Sequence, residues 1–322
     1  MSNKRLGVAL RIGASLALVA GVLWWADPQE VAARLVGVSL TGFSIVVLLH
    51  TGDRLLMAYK WRRLLRARDL PIGHGEAIRV YYVSSFAGVF LPMTVGADLV
   101  RLGAMRRSEI SSSNLVASIA IERALGAVSQ GLFCLLSLGL IASLRLKLEV
   151  PFAGLAALVG AMVVILTLTM PLSFRLAKAL DERWSGRPGL LGKLAVLAHE
   201  YAAWRRHPRE IWLFLLLTLL EGFFPILTYV AAAGALGVPT TVVEMTAVVP
   251  IVYLIARLPV SLGGLGAEQG GFVVAAALVG IGKDSALAMS FLVWFALLVA
   301  LLPGAVAWLL ARRDRAPDSV SS

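Results

Sequence analysis

The sequence predicts an all-α integral membrane protein: a polytopic bundle of about six to eight helical spans with two broken or re-entrant segments in an inverted repeat. Three observations predict it. Apolar residues make up 59% of the 322 positions, charged residues only 15%, and mean hydropathy is +0.83, whereas about a quarter of a soluble domain is charged. Apolar runs of spanning length recur along the chain with basic stretches between them. Finally, one unusual event occurs twice, with Pro92 and Pro259 lying 167 positions apart. Each time Leu-Pro interrupts an apolar run, Gly follows after three more residues, and an acidic residue comes next.

The first copy runs from Leu91 and Pro92 through Gly96 to Asp98, and the second from Leu258 and Pro259 through Gly263, Gly264 and Gly266 to Glu268. Proline removes a backbone donor and clashes with the preceding turn, and glycine weakens the helix further, so both copies read as helix breaks at membrane depth. Broken helices at matching positions of two halves point to a transporter-like binding site. Ordinary proline kinks, which membrane helices tolerate, are the competing reading.

At about 20 residues per crossing, the elements follow in order. Residues 6–24 form a first, retained span ended by Trp24 and Trp25, an interfacial pair. Residues 40–59 form the second, followed by a loop with Lys60, Arg62, Arg63, Arg66 and Arg68. The first broken segment is 77–100, and spans 115–144 and 152–172 follow. The stretch 175–209 is polar and basic and reads as one or two amphipathic helices at the headgroups. Span 211–236, the second broken segment 242–281 and the last span 287–310 complete the bundle. In domain terms, 1–172 is an N-terminal membrane half, 173–210 a basic cytoplasmic or interfacial linker, 211–311 a C-terminal half and 312–322 a disordered tail.

The net charge of +11 would suggest nucleic acid in a soluble protein. Here the Lys and Arg residues sit between apolar spans, so the charge sets topology and no nucleic-acid partner is expected. Counting them puts both termini in the cytoplasm. It also makes the segment around Pro92 enter and leave from the cytoplasmic side and the segment around Pro259 from the outer side. Span, hairpin, span would then occur twice with opposite orientation, the geometry of alternating access around a midplane site.

Ionisable groups at membrane depth cost several kcal/mol unless paired or wet, so Asp98, Arg101, Glu122, Arg123, Arg257 and Glu268 are the candidate substrate-binding residues. Pro92, Gly96, Pro259, Gly263, Gly264 and Gly266 are the candidate structural breaks. Glu122 and Arg123 are helix neighbours that point about 100° apart, so each should pair with another helix. Two readings compete for the first four charges: a structural ion-pair network, or the lining of a wet cavity that meets a headgroup. Arg257 and Glu268 flank backbone N–H groups freed by the break, which suits an anion. Glu221 lies near the middle of its span, and His50, Asp53 and Arg54 read as a cluster near the interface.

Other chemistries lack their signatures. Cys134 is the only cysteine and His50, His74, His199 and His207 are scattered, so neither a metal site nor a cofactor is expected. The glycines at 263, 264 and 266 lack the Lys-Ser/Thr of a phosphate loop. No catalytic residues are recognisable, and enzyme activity is not predicted.

The segment from Phe86 to Arg101, the run Ile121, Glu122, Arg123, and the segment from Leu258 to Glu268 together resemble the transmembrane region of lysylphosphatidylglycerol synthases, a flippase-like family of bacterial membrane proteins. The resemblance extends from about the second span to Leu310. It implies a multi-pass inner-membrane protein tied to lipid translocation, with membrane lipids bearing anionic headgroups as partners and an envelope lipid-modifying enzyme as a possible neighbour. Full synthases carry an aminoacyltransferase domain after this region. Here the chain ends at Ser322, so lipid aminoacylation is not expected. Many members also carry an arginine in the last span, where this sequence reads Leu292, Val293, Trp294, Phe295.

The resulting expectation is a lipid translocase for a phospholipid, glycolipid or hopanoid. Arg101, Arg123 and Arg257 would attract a phosphate, and Asp98, Glu122 and Glu268 would position them. The rivals are a secondary transporter of a small solute and a membrane-embedded lipid-carrier transferase. The transferase would need a metal-binding carboxylate cluster that the sequence does not offer.

Overall fold

The computed structural model describes residues 21, 27–91, 94–105, 110–146, 152–256 and 265–313, and all regular structure among them is helical. The helices are α1 (Pro28–Val36), α2 (Leu40–Arg66), α3 (His74–Phe90), α4 (Thr94–Ala104), α5 (Ser112–Leu146), α6 (Phe152–Trp184) and α7 (Leu190–Ala203). After a 3-10 turn (Trp204–Arg206) come α8 (Pro208–Glu221), α9 (Phe223–Ala235), α10 (Val242–Ala256), α11 (Ala267–Ala276), α12 (Lys283–Ala300) and α13 (Leu302–Arg313).

Four apolar helical stretches, Leu40–Arg66, Ser112–Ser143, Pro208–Ala235 and Lys283–Leu310, hold 27, 32, 28 and 28 residues. At about 1.5 Å per residue they reach roughly 40 to 48 Å, more than the hydrocarbon core of about 30 Å. Large apolar side chains such as Leu48, Leu216 and Leu309 are exposed along them. In a bilayer these faces meet lipid, which makes the protein an integral membrane bundle.

Between the long helices lie two hairpins of short ones. The chain folds back at the Leu91 break, because a Cβ built on Gly88 would lie 2.8 Å from the Ala97 Cβ. In a continuous helix those residues would be about 13 Å apart. Likewise Gly271 on α11 faces Ile255 on α10 across 3.6 Å. The arms of 17, 11, 15 and 10 residues reach only about 15 to 26 Å. Each arm is therefore shorter than the hydrocarbon core of about 30 Å.

Local chemistry fixes the helix starts. The Asp27 side chain accepts from the N–H groups of Gln29 and Glu30 ahead of Pro28, and Ser39 accepts from Gly42 at 3.0 Å. Thr241 and Glu244 cap α10 reciprocally, at 2.7 and 3.2 Å. Gly266 enters α11 at φ 83°, a left-handed conformation that disfavours any side chain.

Packing against the second hairpin uses both small and polar residues. The main apolar core gathers residues of α1, α2, α5 and α9 to α12, among them Val46, Tyr229, Phe272 and Met289. From α5, Gln130 Nε2 donates to the Pro250 carbonyl at 2.8 Å, Cys134 Sγ to the same oxygen at 3.4 Å, and Ser137 to the Ala247 carbonyl. Such interhelical hydrogen bonds hold helices together where burial from water supplies no drive.

Two ends of the bundle can be told apart. At one, Gly42 meets Ala235, and the Asp27 N–H donates to Asp284 at 3.0 Å. At the other, Arg68 pairs with Glu200 at 2.7 Å and Arg63 with Glu210 at 3.0 Å. This second end carries most of the arginines around α7 and the 3-10 turn.

Several expected boundaries differ. The second span does not stop at 59: α2 continues to Arg66 with Lys60 only 3% exposed, so Lys60 is not a loop residue. Spans 211–236 and 287–310 correspond to the spanning stretches Pro208–Ala235 and Lys283–Leu310, each made of two helices joined at Gly222 and Leu301. The stretch 175–209 begins inside α6, which runs through Pro171 to Trp184, and α7 packs against α6 and α5. Apart from residue 21, the first span at 6–24 lies outside the described residues, as does the tail beyond Arg313.

Candidate functional site

Where the second hairpin meets the middle of α2 and α5 and the joint between α8 and α9, the helices enclose a cavity of about 230 Å³. Its polar lining comes from His50, Asp53 and Arg54 on α2, Gln130 on α5, Glu221 on α8 and Glu268 on α11. On α2, His50, Asp53, Arg54 and Met57 occupy i, i+3, i+4 and i+7, so one helical face delivers all four to the cavity. The other walls are apolar or amphipathic, including Phe133, Phe224, Ile226 and Tyr253.

Broken backbone shapes this cavity. Pro225 has no N–H, which frees the carbonyl of Glu221 four residues earlier at the cavity wall. Gly222 adjoins the Phe133 ring so closely that a Cβ would overlap it. Only glycine lets α5 approach the joint between α8 and α9.

The charges are arranged in pairs with one exception. Arg54 donates to Asp53 from Nε at 3.1 Å and from Nη2 at 2.5 Å. Glu221 pairs with buried Lys60, whose Nζ also donates to Thr218 at 3.0 Å and lies 4.8 Å from the Phe214 ring centre. His50 Nε2 bonds the Val293 carbonyl at 3.1 Å, which assigns the hydrogen to Nε2. Glu268 accepts from Tyr229 at 3.1 Å; no cation pairs with it among the described residues.

The six candidate binding residues separate into different environments. Arg101 and Glu122 form a buried pair at 2.7 Å, with Tyr81 donating to the same carboxylate at 2.7 Å. The guanidinium lies 4.3 Å from the Tyr81 ring centre and 5.1 Å from that of Trp61. This arginine is boxed by two rings and a carboxylate. Arg123 grips Asp98 with two bonds, 3.1 Å from Nε and 2.8 Å from Nη2, while its side chain stays 45% exposed. As expected, Glu122 and Arg123 pair with partners on another helix, here both on α4. Glu268 lines the central cavity. Arg257 lies outside the described residues, as do Pro92, Pro259, Gly263 and Gly264. Of the other breaks, Gly96 sits tightly against Leu91 and Gly266 caps α11.

The cluster of His50, Asp53 and Arg54, expected near the interface, lies at mid-helix and faces the cavity, with His50 and Asp53 buried and Arg54 partly exposed. Gln130 and Lys60 were not singled out by sequence. The signal for Gln130 was a polar residue inside a long apolar run, and for the α2 residues their helical spacing. Among the described residues no group of three or more His, Cys, Asp or Glu is placed to hold a metal ion.

The family model described as Lysylphosphatidylglycerol synthase TM region matches residues 12–304, nearly the whole chain. No curated protein matches the chain at a significant level.

Proposed function

We propose, since the chain belongs to the lysylphosphatidylglycerol synthase TM region family, that it passes the polar headgroup of a bilayer lipid between leaflets through the central cavity. The supporting observation is a cavity of about 230 Å³ that combines Arg54, Asp53, Glu221 and Glu268 with apolar walls at the middle of the bundle. That volume holds about eight waters or a small polar headgroup. Charged residues at such depth are costly and mark substrate pathways by default.

In this reading the acyl chains stay in the bilayer. A phosphate or hydroxyl of the headgroup exchanges with Asp53 for the Arg54 guanidinium, whose planar fork suits oxyanions. Glu221 and Glu268 receive any hydroxyl or ammonium groups. Glu268 sits on the short arm α11, so movement of the second hairpin changes access to the cavity from one side. The Arg123–Asp98 pair near the first hairpin is the corresponding charged station on the other route. The reading carries an orientation: the arginine-rich end near Arg68 faces the cytoplasm of a bacterial inner membrane.

Leaflet-resolved lipid analysis of cells that lack the chain, carry it, or carry its Arg54→Gln variant tests the proposal. One lipid class should shift between leaflets in the deletion strain, and only the wild-type chain should restore it. Identical leaflet compositions in all three strains would overturn the reading.

A further inference from the structure

A second, larger cavity of about 320 Å³ lies apart from the central one, between α6, the 3-10 turn and the start of α8. Its apolar walls include Phe174, Trp204, Ile211, Trp212 and Leu215, and Arg175 and Arg205 also line it. Both arginines are exposed, and neither has a salt-bridge partner among the described residues.

The cavity straddles an apolar boundary. Arg205 precedes the apolar stretch Pro208–Ala235 by three residues, and Trp212 lies in its second turn. Along α8 the side chains of Trp212, Leu216 and Leu220 are 52%, 64% and 54% exposed. Spaced four residues apart, they form one stripe leading away from the cavity. The helix also begins here without a side-chain cap, adding the positive end of its dipole. Two cationic groups and an adjoining apolar track match one ligand: a phospholipid with a net negative headgroup.

We infer that the groove between Arg175 and Arg205 is a binding site for an anionic phospholipid, with the phosphate on the two guanidinium groups and an acyl chain along the α8 stripe. It is separate from the translocation cavity. Its occupant is a resident lipid of the arginine-rich leaflet that joins α6 to α8, two helices with little direct packing between them.

The test uses the purified full chain, incubated with equal amounts of phosphatidylglycerol and phosphatidylcholine, with retained lipid counted by native mass spectrometry. Wild type should retain phosphatidylglycerol in preference. Arg175→Gln and Arg205→Gln should each weaken that preference about fivefold, the effect of about 1 kcal/mol for each basic residue near a membrane surface. Arg205→Lys should keep most of it, and Arg206→Gln, outside the cavity, should change nothing. Because the substituted side chains are exposed, melting temperatures should stay at the wild-type value. If the double Gln variant does not fold, the single variants carry the comparison. Equal retention of both lipids, or a preference that survives both Gln substitutions, would overturn the proposal.

Discussion

The Tyr229 hydroxyl on α9 donates to Glu268 on α11 across 3.1 Å, and the same ring packs against Phe272 with centroids 4.2 Å apart. One side chain thus joins the short arm of the second hairpin to the helix beyond the Gly222 joint, by an apolar contact and a polar one that can be separated. Tyr229→Phe should keep the ring contact and cost about 1 kcal/mol of stability, the typical worth of one hydrogen bond. It should slow lipid transfer more than it lowers the melting temperature, because Glu268 loses the donor that orients it. A variant with unchanged transfer would remove Glu268 from the proposed path. The paired comparison is transfer rate against melting temperature in the same preparation.

Arg101 and Arg123 should behave differently although each is bound to a carboxylate. Glu122→Gln strips the countercharge from an arginine that is 3% exposed. Removing one partner of a buried pair costs about 3 to 5 kcal/mol, so abundance should collapse. Arg123→Gln acts on a half-exposed side chain and should leave abundance near wild type while reducing transfer. Quantitative immunoblotting with a transfer assay checks both. Equal loss of abundance in the two variants would contradict the distinction.

Glycine contacts supply an independent check on how the first hairpin is held. A Cβ on Gly304 of α13 would approach the backbone of Tyr82 on α3, 2.6 Å from its carbonyl carbon. Backbone cannot rotate away, so Gly304→Ala should cost about 1 to 3 kcal/mol. Gly131 on α5 has nothing within 4 Å, and Gly131→Ala should gain up to about 1 kcal/mol from helix propensity. Thermal unfolding in one detergent measures both, and a stabilised Gly304→Ala variant would show that α13 does not press on α3 as described.

The polytopic helical class was legible from composition, and the two hairpins from proline and glycine inside apolar runs. The partners of the intramembrane charges were less legible. Lys60 and Glu221 are 161 residues apart, and a hydropathy scan treats each as a reason to end or weaken a span. Their mutual neutralisation is visible only once α2 and α8 are side by side. His50, Asp53 and Arg54 suffered the same bias, since three polar residues together look like an interface even when their spacing marks one buried face. The break at Pro225 went unread because glycine and proline there do not repeat the Leu-Pro pattern. Arg101 was legible as a membrane-depth charge, but the ring box of Trp61 and Tyr81 that encloses it comes from distant segments.

The orientation is measurable without reference to any lipid. In a Cys134→Ser background, a cysteine at Ala67 should react with an impermeant maleimide only from the cytoplasmic side. Cysteines at Pro239, which is exposed, and at Lys283 should both react from the outside. These two positions bracket the second hairpin, and a hairpin that enters and leaves by one face keeps them together. Labelling of Pro239→Cys and Lys283→Cys from opposite sides would contradict the re-entrant arrangement.

The central claim is that a lipid headgroup passes through the cavity around Arg54 and Glu268. The most direct measurement reconstitutes the full chain in vesicles containing phosphatidylglycerol labelled on its acyl chain with a dithionite-sensitive fluorophore. With the wild-type chain, dithionite should quench the inner-leaflet fluorescence as well as the outer, and Arg54→Gln should confine quenching to the outer leaflet while the protein remains folded and inserted. Vesicles with the wild-type chain that quench no further than protein-free vesicles, across phospholipid, glycolipid and hopanoid probes, would contradict the account.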